Sequence, residues 1–211
     1  MMNITQITVG PMGNYCYIVK NPAQKKCVVI DPGWDIKKIE TSAEQDGFEM
    51  SAILLTHGHF DHSQAAVTLA KNHCVPVYVE VGDADMVSND CAYQLTTFCG
   101  DASLKIAGME IEIYATSGHT KGSACILIDN NLFTGDTLFV NAVGRVDLPE
   151  SNPEQMYNSL KKIVALNPHY KVYPGHAYGD KASTTIAESV SKNPYIKLAL
   201  KDKDAFIEAM S

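Results

Sequence analysis

The chain has 211 residues, 45% of them apolar, which is enough for a sizeable core and too many for a disordered segment. Its 17 lysines and arginines against 24 aspartates and glutamates leave a formal net charge of −7, with no basic run longer than two. A phosphate-tracking protein presents a basic face, so nucleic acid is excluded as the expected partner.

Short β-branched runs predict strands at Ile4–Val9, Tyr15–Lys20, Cys27–Asp31, Ala52–Thr56, Val75–Val79, Glu110–Ala115, Ser123–Ile128, Asn131–Thr134 and Lys171–Tyr173. Asp129-Asn130-Asn131 reads as a hairpin turn between two of them. Helical patterns fit Asp35–Asp46, Ser63–Asn72, Pro153–Leu166 and Thr184–Lys192, with a further short helix at Lys201–Met210. Pro153 stands just inside its helix, with Ser151 or Asn152 as the cap. The segment Gly82–Asp101 resists reading, and its loop-like composition suits a cover over a site. No Gly/Ser-rich linker or fixed repeat divides the chain, so a single domain over residues 1–211 is expected, with sheet inside and helices outside.

The start "MMNITQITVG" lacks a basic region followed by an apolar one, and apolar runs end far short of the roughly 20 residues that span a bilayer. A cytoplasmic protein without membrane contact is therefore expected, with homo-oligomerisation left open. Cys16, Cys27, Cys74, Cys91, Cys99 and Cys125 are scattered, with no Cys-x-x-Cys pair. They read as small buried hydrophobes, a Cys91–Cys99 disulfide being the alternative.

The histidines differ in their settings. His57, His59 and His62 fall with Asp61 inside "LLTHGHFDH", directly after an apolar strand. His119 follows "EIEIYATSG", Asp136 follows "NNLFTG", and His176 follows "YKVYPG". Each group ends a strand-like run and has a glycine close by (Gly58, Gly118, Gly135, Gly175). Four such strand ends can converge on one edge of a sheet, where a scaffold positions reactive loops. His73 and His169 have no comparable neighbourhood. Asp31, in "VVIDPGW", is open between a site role and a turn cap.

In an extended segment alternate residues face one way, so His57, His59 and Asp61 would share a side while His62 serves a second centre. Imidazole and carboxylate suit zinc, manganese or iron, and burying them without a metal is expensive. Five histidines and two aspartates are too many for one tetrahedral ion. They suit two: His57, His59 and His119 on one; Asp61, His62 and His176 on the other; Asp136 bridging. Positions left for water mark a catalytic site rather than a closed structural one.

The motifs "THGHFDH" (56–62), "SGHTKGS" (117–123), "FTGDTLF" (133–139) and "YPGHAYG" (173–179) together resemble the metallo-β-lactamase superfamily, over about residues 4 to 195. The opening "VGPMGNYCYIV…VVIDPG" and "VGRVDLPES" match it too. The resemblance implies a four-layer αββα sandwich: two mixed sheets, flanked by helices, with a dinuclear site at one edge. Among the branches, the chain looks most like the short glyoxalase II-like hydrolases, which cleave thioesters such as S-lactoylglutathione. By that likeness Arg145 matches a basic residue that contacts glutathione, and Tyr178 a tyrosine near the substrate; the alternatives are a surface ion pair, with Asp147 as the candidate partner, for Arg145 and ordinary packing for Tyr178. Four features depart from the pattern: "SQAA" stands where Gly-Gly is usual, Lys121 replaces a common proline, "AYGDKASTTIAES" stands where the short hydrolases usually have "GHGPxTT", and little chain remains for the helical domain that grips glutathione in full-length glyoxalase II.

The resulting expectation is a small-molecule thioester hydrolase with two divalent ions, zinc first and iron or manganese as alternatives. A shared hydroxide would attack the carbonyl, oriented by Asp61, which could also take up a proton. A thiolate with a thiol pKa of about 8.5 leaves without much proton help, which fits a site with no spare acid. The rival is a persulfide dioxygenase using one iron on His57, His119 and Asp136, a group whose "AYGDKASTTIAES"-like segment this chain shares. A lactonase of the same fold would keep the same ligands.

Overall fold

Residues 1–87 and 95–210 are described by the computed structural model. Within them the first sheet runs in the order β1 (Asn3–Val9), β2 (Asn14–Asn21), β3 (Lys26–Ile30), β4 (Glu49–Leu54), β5 (Val77–Glu80) and β6 (Leu95–Phe98). Its first three strands pair antiparallel, and β3 to β6 pair parallel. The second sheet contains β7 (Ala102–Ile106), β8 (Met109–Ala115), β9 (Ala124–Ile128), β10 (Asn131–Gly135), β11 (Lys171–Pro174) and β12 (Thr184–Thr185), also neighbouring in chain order. Only β10 and β11 pair parallel there. Seven α-helices, α1 (Ile36–Glu44), α2 (Phe60–Ser63), α3 (Ala66–His73), α4 (Pro153–Val164), α5 (Ile186–Lys192), α6 (Pro194–Lys201) and α7 (Lys203–Met210), and two 3-10 turns, Gln45–Gly47 and Val81–Met86, complete the described chain.

Strands such as β2, β3 and β9 are apolar at successive positions because both their faces are covered. Side-chain alternation decides which layer each residue joins. Tyr17, Val19, Val28 and Ile30 point between the sheets and meet Ile111, Ile126 and Phe133. Cys16, Ile18, Cys27 and Val29 point the other way, against Ile39 of α1 and Leu69 of α3. Cys125, Leu127 and Leu132 face outward from the second sheet onto Met156, Leu160, Ile196 and Phe206 of the later helices. The result is the expected αββα sandwich, with two mixed sheets flanked by helices.

Several elements differ from the sequence reading. The helix expected at Ser63–Asn72 begins at Phe60 and breaks before Ala66. The cause is local: the Asp61 carbonyl accepts from Asn14 Nδ2 at 3.1 Å, and the Ala65 N–H donates instead to Pro32 O at 3.0 Å. The helix expected over Thr184–Lys192 starts at Ile186, behind the two-residue strand β12. Asn193 then ends α5 and caps α6, its Oδ1 accepting from the Tyr195 and Ile196 amides. Strands β6 and β7 are additional; β6 sets two adjacent exposed threonines between Leu95 and Phe98, β7 alternates Ser103 and Lys105 with apolar residues, and neither offers an apolar run. The cap of α4 is Asn152, which accepts from Gln155 N. Cys74 and Cys99 are exposed, against expectation, while Cys16, Cys27 and Cys125 are buried. Cys74 sits in the left-handed C-cap of α3, where its side chain turns outward. Cys91 lies outside the described residues, so the Cys91–Cys99 alternative does as well.

Candidate metal centre

Both sheets contribute to one site. The segment after β4 carries His57 and His59, and α2 carries Asp61 and His62. His119 lies in the loop between β8 and β9, Asp136 follows β10, and His176 follows β11. The end of β11 is pinned by Tyr17, whose hydroxyl donates to Pro174 O, while its ring packs on Phe133 and Tyr173 in the inter-sheet core. The parallel register of β10 and β11 then sets Asp136 beside His176.

Six of the seven ligand-type residues meet as two triads. His57, His59 and His119 form one, and Asp61, His62 and His176 the other, with ligand atoms inside each within 4.8 Å of one another. His59 Nδ1 faces His119 Nε2 at 3.0 Å. In the second triad, His62 Nε2 and His176 Nε2 are 3.3 Å apart, and Asp61 Oδ2 lies 3.5 and 3.4 Å from them. Asp136 stands between the triads: Oδ1 is 3.4 Å from His62 Nε2, and Oδ2 is 3.5 Å from His119 Nε2 and 3.3 Å from His176 Nε2. Metal–nitrogen bonds of about 2.0–2.1 Å in a tetrahedron put ligand atoms about 3.3 Å apart along each edge. The observed separations fall on that scale.

The spacing argument from the sequence needs correction. The backbone is not extended from His57 to His62, because a helical turn begins at Phe60. Asp61 thereby leaves the side of His57 and His59 and joins His62.

Outer partners orient the rings. His62 Nδ1 contacts Asp31 Oδ2 at 3.1 Å, His119 Nδ1 contacts Arg145 O at 2.9 Å, and His176 Nδ1 contacts Met12 O at 3.1 Å. Each acceptor fixes the proton on Nδ1 and leaves Nε2 with a lone pair aimed inward. Thr56 completes the logic for His57: its hydroxyl donates to Asp31 Oδ2 at 2.6 Å and so can accept from His57 Nδ1 at 3.1 Å. His57 Nε2 is then buried with no hydrogen-bond partner, as is Asp136 Oδ1. Orphaned buried acceptors of this kind, beside converging lone pairs, are what a bound cation satisfies.

The ionisation states follow from burial and neighbours. Burial, then the adjacent imidazoles led by His62, holds His57 well below the usual histidine range. Burial and His119 lower His59 likewise. For His176, burial lowers the pKa but hydrogen bonds with Asp136 and Asp61 outweigh it, and the net shift is upward. His62 behaves the same way, burial being outweighed by Asp136 and Asp31. Burial acts to raise Asp61, yet His176, His62 and Asn14 bring it well below the usual carboxylate range. Asp136 is also lowered, the charges of His62 and His176 prevailing over burial. The two carboxylates thus face imidazoles whose hold on a proton is strengthened.

Residues 9–176 match the family model described as the metallo-beta-lactamase superfamily. The chain belongs to the metallo-β-lactamase superfamily. A probable polyketide biosynthesis zinc-dependent hydrolase, BaeB, of Bacillus velezensis is 33% identical over 190 residues, spanning 90% of this chain and 84% of the relative. A hydroxyacylglutathione hydrolase of Alkalilimnicola ehrlichii is 35% identical over 206 residues, spanning 96% of this chain and 77% of the relative. The crystal structure of ETHE1 from Myxococcus xanthus superposes with a TM-score of 0.86 at 28% identity, covering 99% of this chain and 90% of that one. Membership of this metallo-hydrolase superfamily and the two His/Asp triads together indicate divalent metal ions.

The metallo-β-lactamase-fold site opens into a cavity of about 300 Å³ lined by Met12, Phe60, Arg145, Tyr178 and the ligand side chains. A more open cleft of about 580 Å³ runs past Trp34, Lys38 and Thr68 and is lined by none of the clustered ligands. Tyr178 stacks on His176 with ring centroids 4.5 Å apart and planes at 9°. Arg145 reaches the cavity, but its Nε and Nη2 donate to both carboxylate oxygens of Asp147 at 2.6 and 2.7 Å. His73 lies on α3 beside Glu40, away from the site.

Three supporting residues, Asn14, Thr56 and Asp83, were not legible as such, and a fourth, Asp31, was left open by the sequence. Asn14 donates through Nδ2 to Asp61 Oδ2 at 2.8 Å, and Asp31 and Thr56 orient His62 and His57. Asp83, fully buried, accepts from Gly58 N, Thr120 Oγ1 and Gly122 N, so it ties the His57–His59 loop to the His119 loop. It lies in the segment the sequence reading could not resolve, and a lone aspartate there gives no pattern to find. Gly175 is required by close approach: a Cβ there would lie 2.3 Å from Asp136 Oδ1.

Proposed function

We propose that the chain is a metal-dependent thioester hydrolase holding two divalent ions, zinc first, on His57, His59, His119, Asp61, His62 and His176, with Asp136 between them. The observation that carries the reading is the pair of complete triads sharing one carboxylate and opening on one cavity. Bound divalent ions supply polarisation of a carbonyl oxygen and a lowered pKa for water.

The chain's own groups do the rest. Asp61 is held by Asn14 at 2.8 Å and faces the cavity, placing it to orient an attacking water. Its depressed pKa suits a ligand and an orienting acceptor better than a strong general base, whose pKa would sit near the working pH. Among the described residues lining the cavity no unligated carboxyl is available as an acid. A thiolate, which departs unprotonated, is therefore favoured as leaving group over an alkoxide or amide. The hydroxyacylglutathione hydrolase relative supports the same class.

A second reading, the mononuclear-iron persulfide dioxygenase on His57, His119 and Asp136, is favoured by the "AYGDKASTTIAES" segment, and the likeness to ETHE1 weighs as much for it. Elemental analysis beside paired assays separates the two. Two ions per chain with thioester hydrolysis supports the first reading. One iron per chain with thiol-dependent oxygen consumption and no hydrolysis overturns it.

A further inference from the structure

The mouth of the site is apolar. Met12, Phe60 and Tyr178, 45%, 61% and 60% exposed, are among the few exposed large hydrophobic residues described, and all three line the one cavity. Exposed apolar side chains scattered singly mean little; converging on the opening of a ligand-rich cavity, they mark a binding surface. The rings are also set in place. Tyr178 is stacked on His176 and meets Phe139 edge-on at 5.3 Å, while Phe60 meets Trp34 edge-on at 6.0 Å. Met12 adds an adaptable, polarisable contact whose backbone carbonyl already braces His176.

Charge points the same way. Among the described residues lining the cavity, Arg145 alone carries a fixed positive charge, and its Nε and Nη2 are engaged by Asp147. An anionic arm on a substrate would meet that carboxylate beside the guanidinium, in a chain of net charge −7.

We infer that the arm of the substrate leading out of the metal centre is apolar and uncharged, and that Phe60, Tyr178 and Met12 set specificity by burying it. This rests on the hydrolase reading for the reacting group, but the arm itself is read by binding alone. The test is calorimetric titration of cation-loaded protein with non-hydrolysable thioethers. One series is S-alkyl-N-acetylcysteamine from butyl to octyl, and the other carries the same alkyl groups on glutathione.

In the neutral series Kd should fall by up to about fourfold per added methylene until the cavity is filled. The glutathione series should bind no more tightly at equal chain length. Phe60→Ala and Tyr178→Ala should each flatten the chain-length dependence, with metal content checked in parallel. A Kd indifferent to chain length overturns the inference, as does a glutathione series at least tenfold tighter whose advantage disappears in Arg145→Ala. Thioester turnover measured separately keeps the two claims apart. Hydrolysis without chain-length dependence removes the apolar arm alone, while chain-length dependence without hydrolysis removes the hydrolase reading alone.

Discussion

Replacing Asp83 by asparagine tests whether the two loops of the first triad are held by one carboxylate. In the native site Oδ2 accepts from Gly58 N at 2.8 Å and Thr120 Oγ1 at 2.6 Å, and Oδ1 accepts from Gly122 N at 2.8 Å. An amide offers one acceptor oxygen. In either orientation its NH2 faces one backbone N–H, of Gly58 or of Gly122, and that buried donor loses its partner. An unsatisfied buried donor costs about 1–3 kcal/mol, and the surviving bonds lose the strengthening of a charged acceptor. The sum is about 2–4 kcal/mol, a large share of the roughly 5–15 kcal/mol that holds a domain together. Because Gly58 lies between His57 and His59, and Thr120 follows His119, metal affinity at that triad should fall about 10- to 100-fold, while the Asp61–His62–His176 set keeps its own. Denaturant unfolding of loaded and chelated protein, with competitive metal titration resolving two binding steps, measures both. Stability within about 0.5 kcal/mol of the parent and two unchanged affinities would refute the bracing role.

Three further outcomes are expected. Asp136→Ala and His119→Ala should each strip most of the bound metal and nearly all hydrolysis, whereas His73→Ala changes neither; full metal content in Asp136→Ala would remove its bridging position. Gly175→Ala, which forces a Cβ to within 2.3 Å of Asp136 Oδ1, should lose metal without losing the fold, as read by elemental analysis beside circular dichroism. Metal binding should tighten as pH rises: His176, raised to about 10 as burial is outweighed by Asp136 and Asp61, must shed a proton before its nitrogen can bind, so affinity gains up to about tenfold per pH unit per proton displaced. The sign for the chelated fold is opposite. A pKa raised above its unfolded value of 6.5 stabilises fully below that pH, and the contribution fades as pH climbs towards 10, so the Tm of chelated protein should drop over that interval. An affinity flat between pH 6.5 and 9 would contradict the assignment.

The site was legible where chemistry crowds the chain. Three histidines and an aspartate behind a buried strand have no ordinary reading, and glycines beside His119, Asp136 and His176 marked the other strand ends. The αββα layering was legible through the same runs, since strands covered on both faces cannot be anything but interior. What escaped was decided by contacts distant in sequence. The break between α2 and α3 depends on Asn14, 47 residues from Asp61, taking a helical carbonyl. Asp83 acts through hydrogen bonds to backbone and hydroxyl groups that no local spacing announces, and the choice left open for Asp31 is decided by its contact with His62, 31 residues away. Strand β7 alternates polar and apolar residues over only five positions, too few for a period to stand out, and β6, with Thr96 and Thr97 adjacent, has no alternation to find.

Each triad draws two members from the segment behind β4, in the first sheet, and one from a loop of the second sheet, while Asp136 comes from the second. Neither half of the sandwich owns a full coordination sphere. A cation in either place would act as a rivet across the seam where the two halves meet. Chelation would then be felt mechanically, as faster amide exchange along the facing ends of β4, β8, β10 and β11, before any loss of the layers themselves.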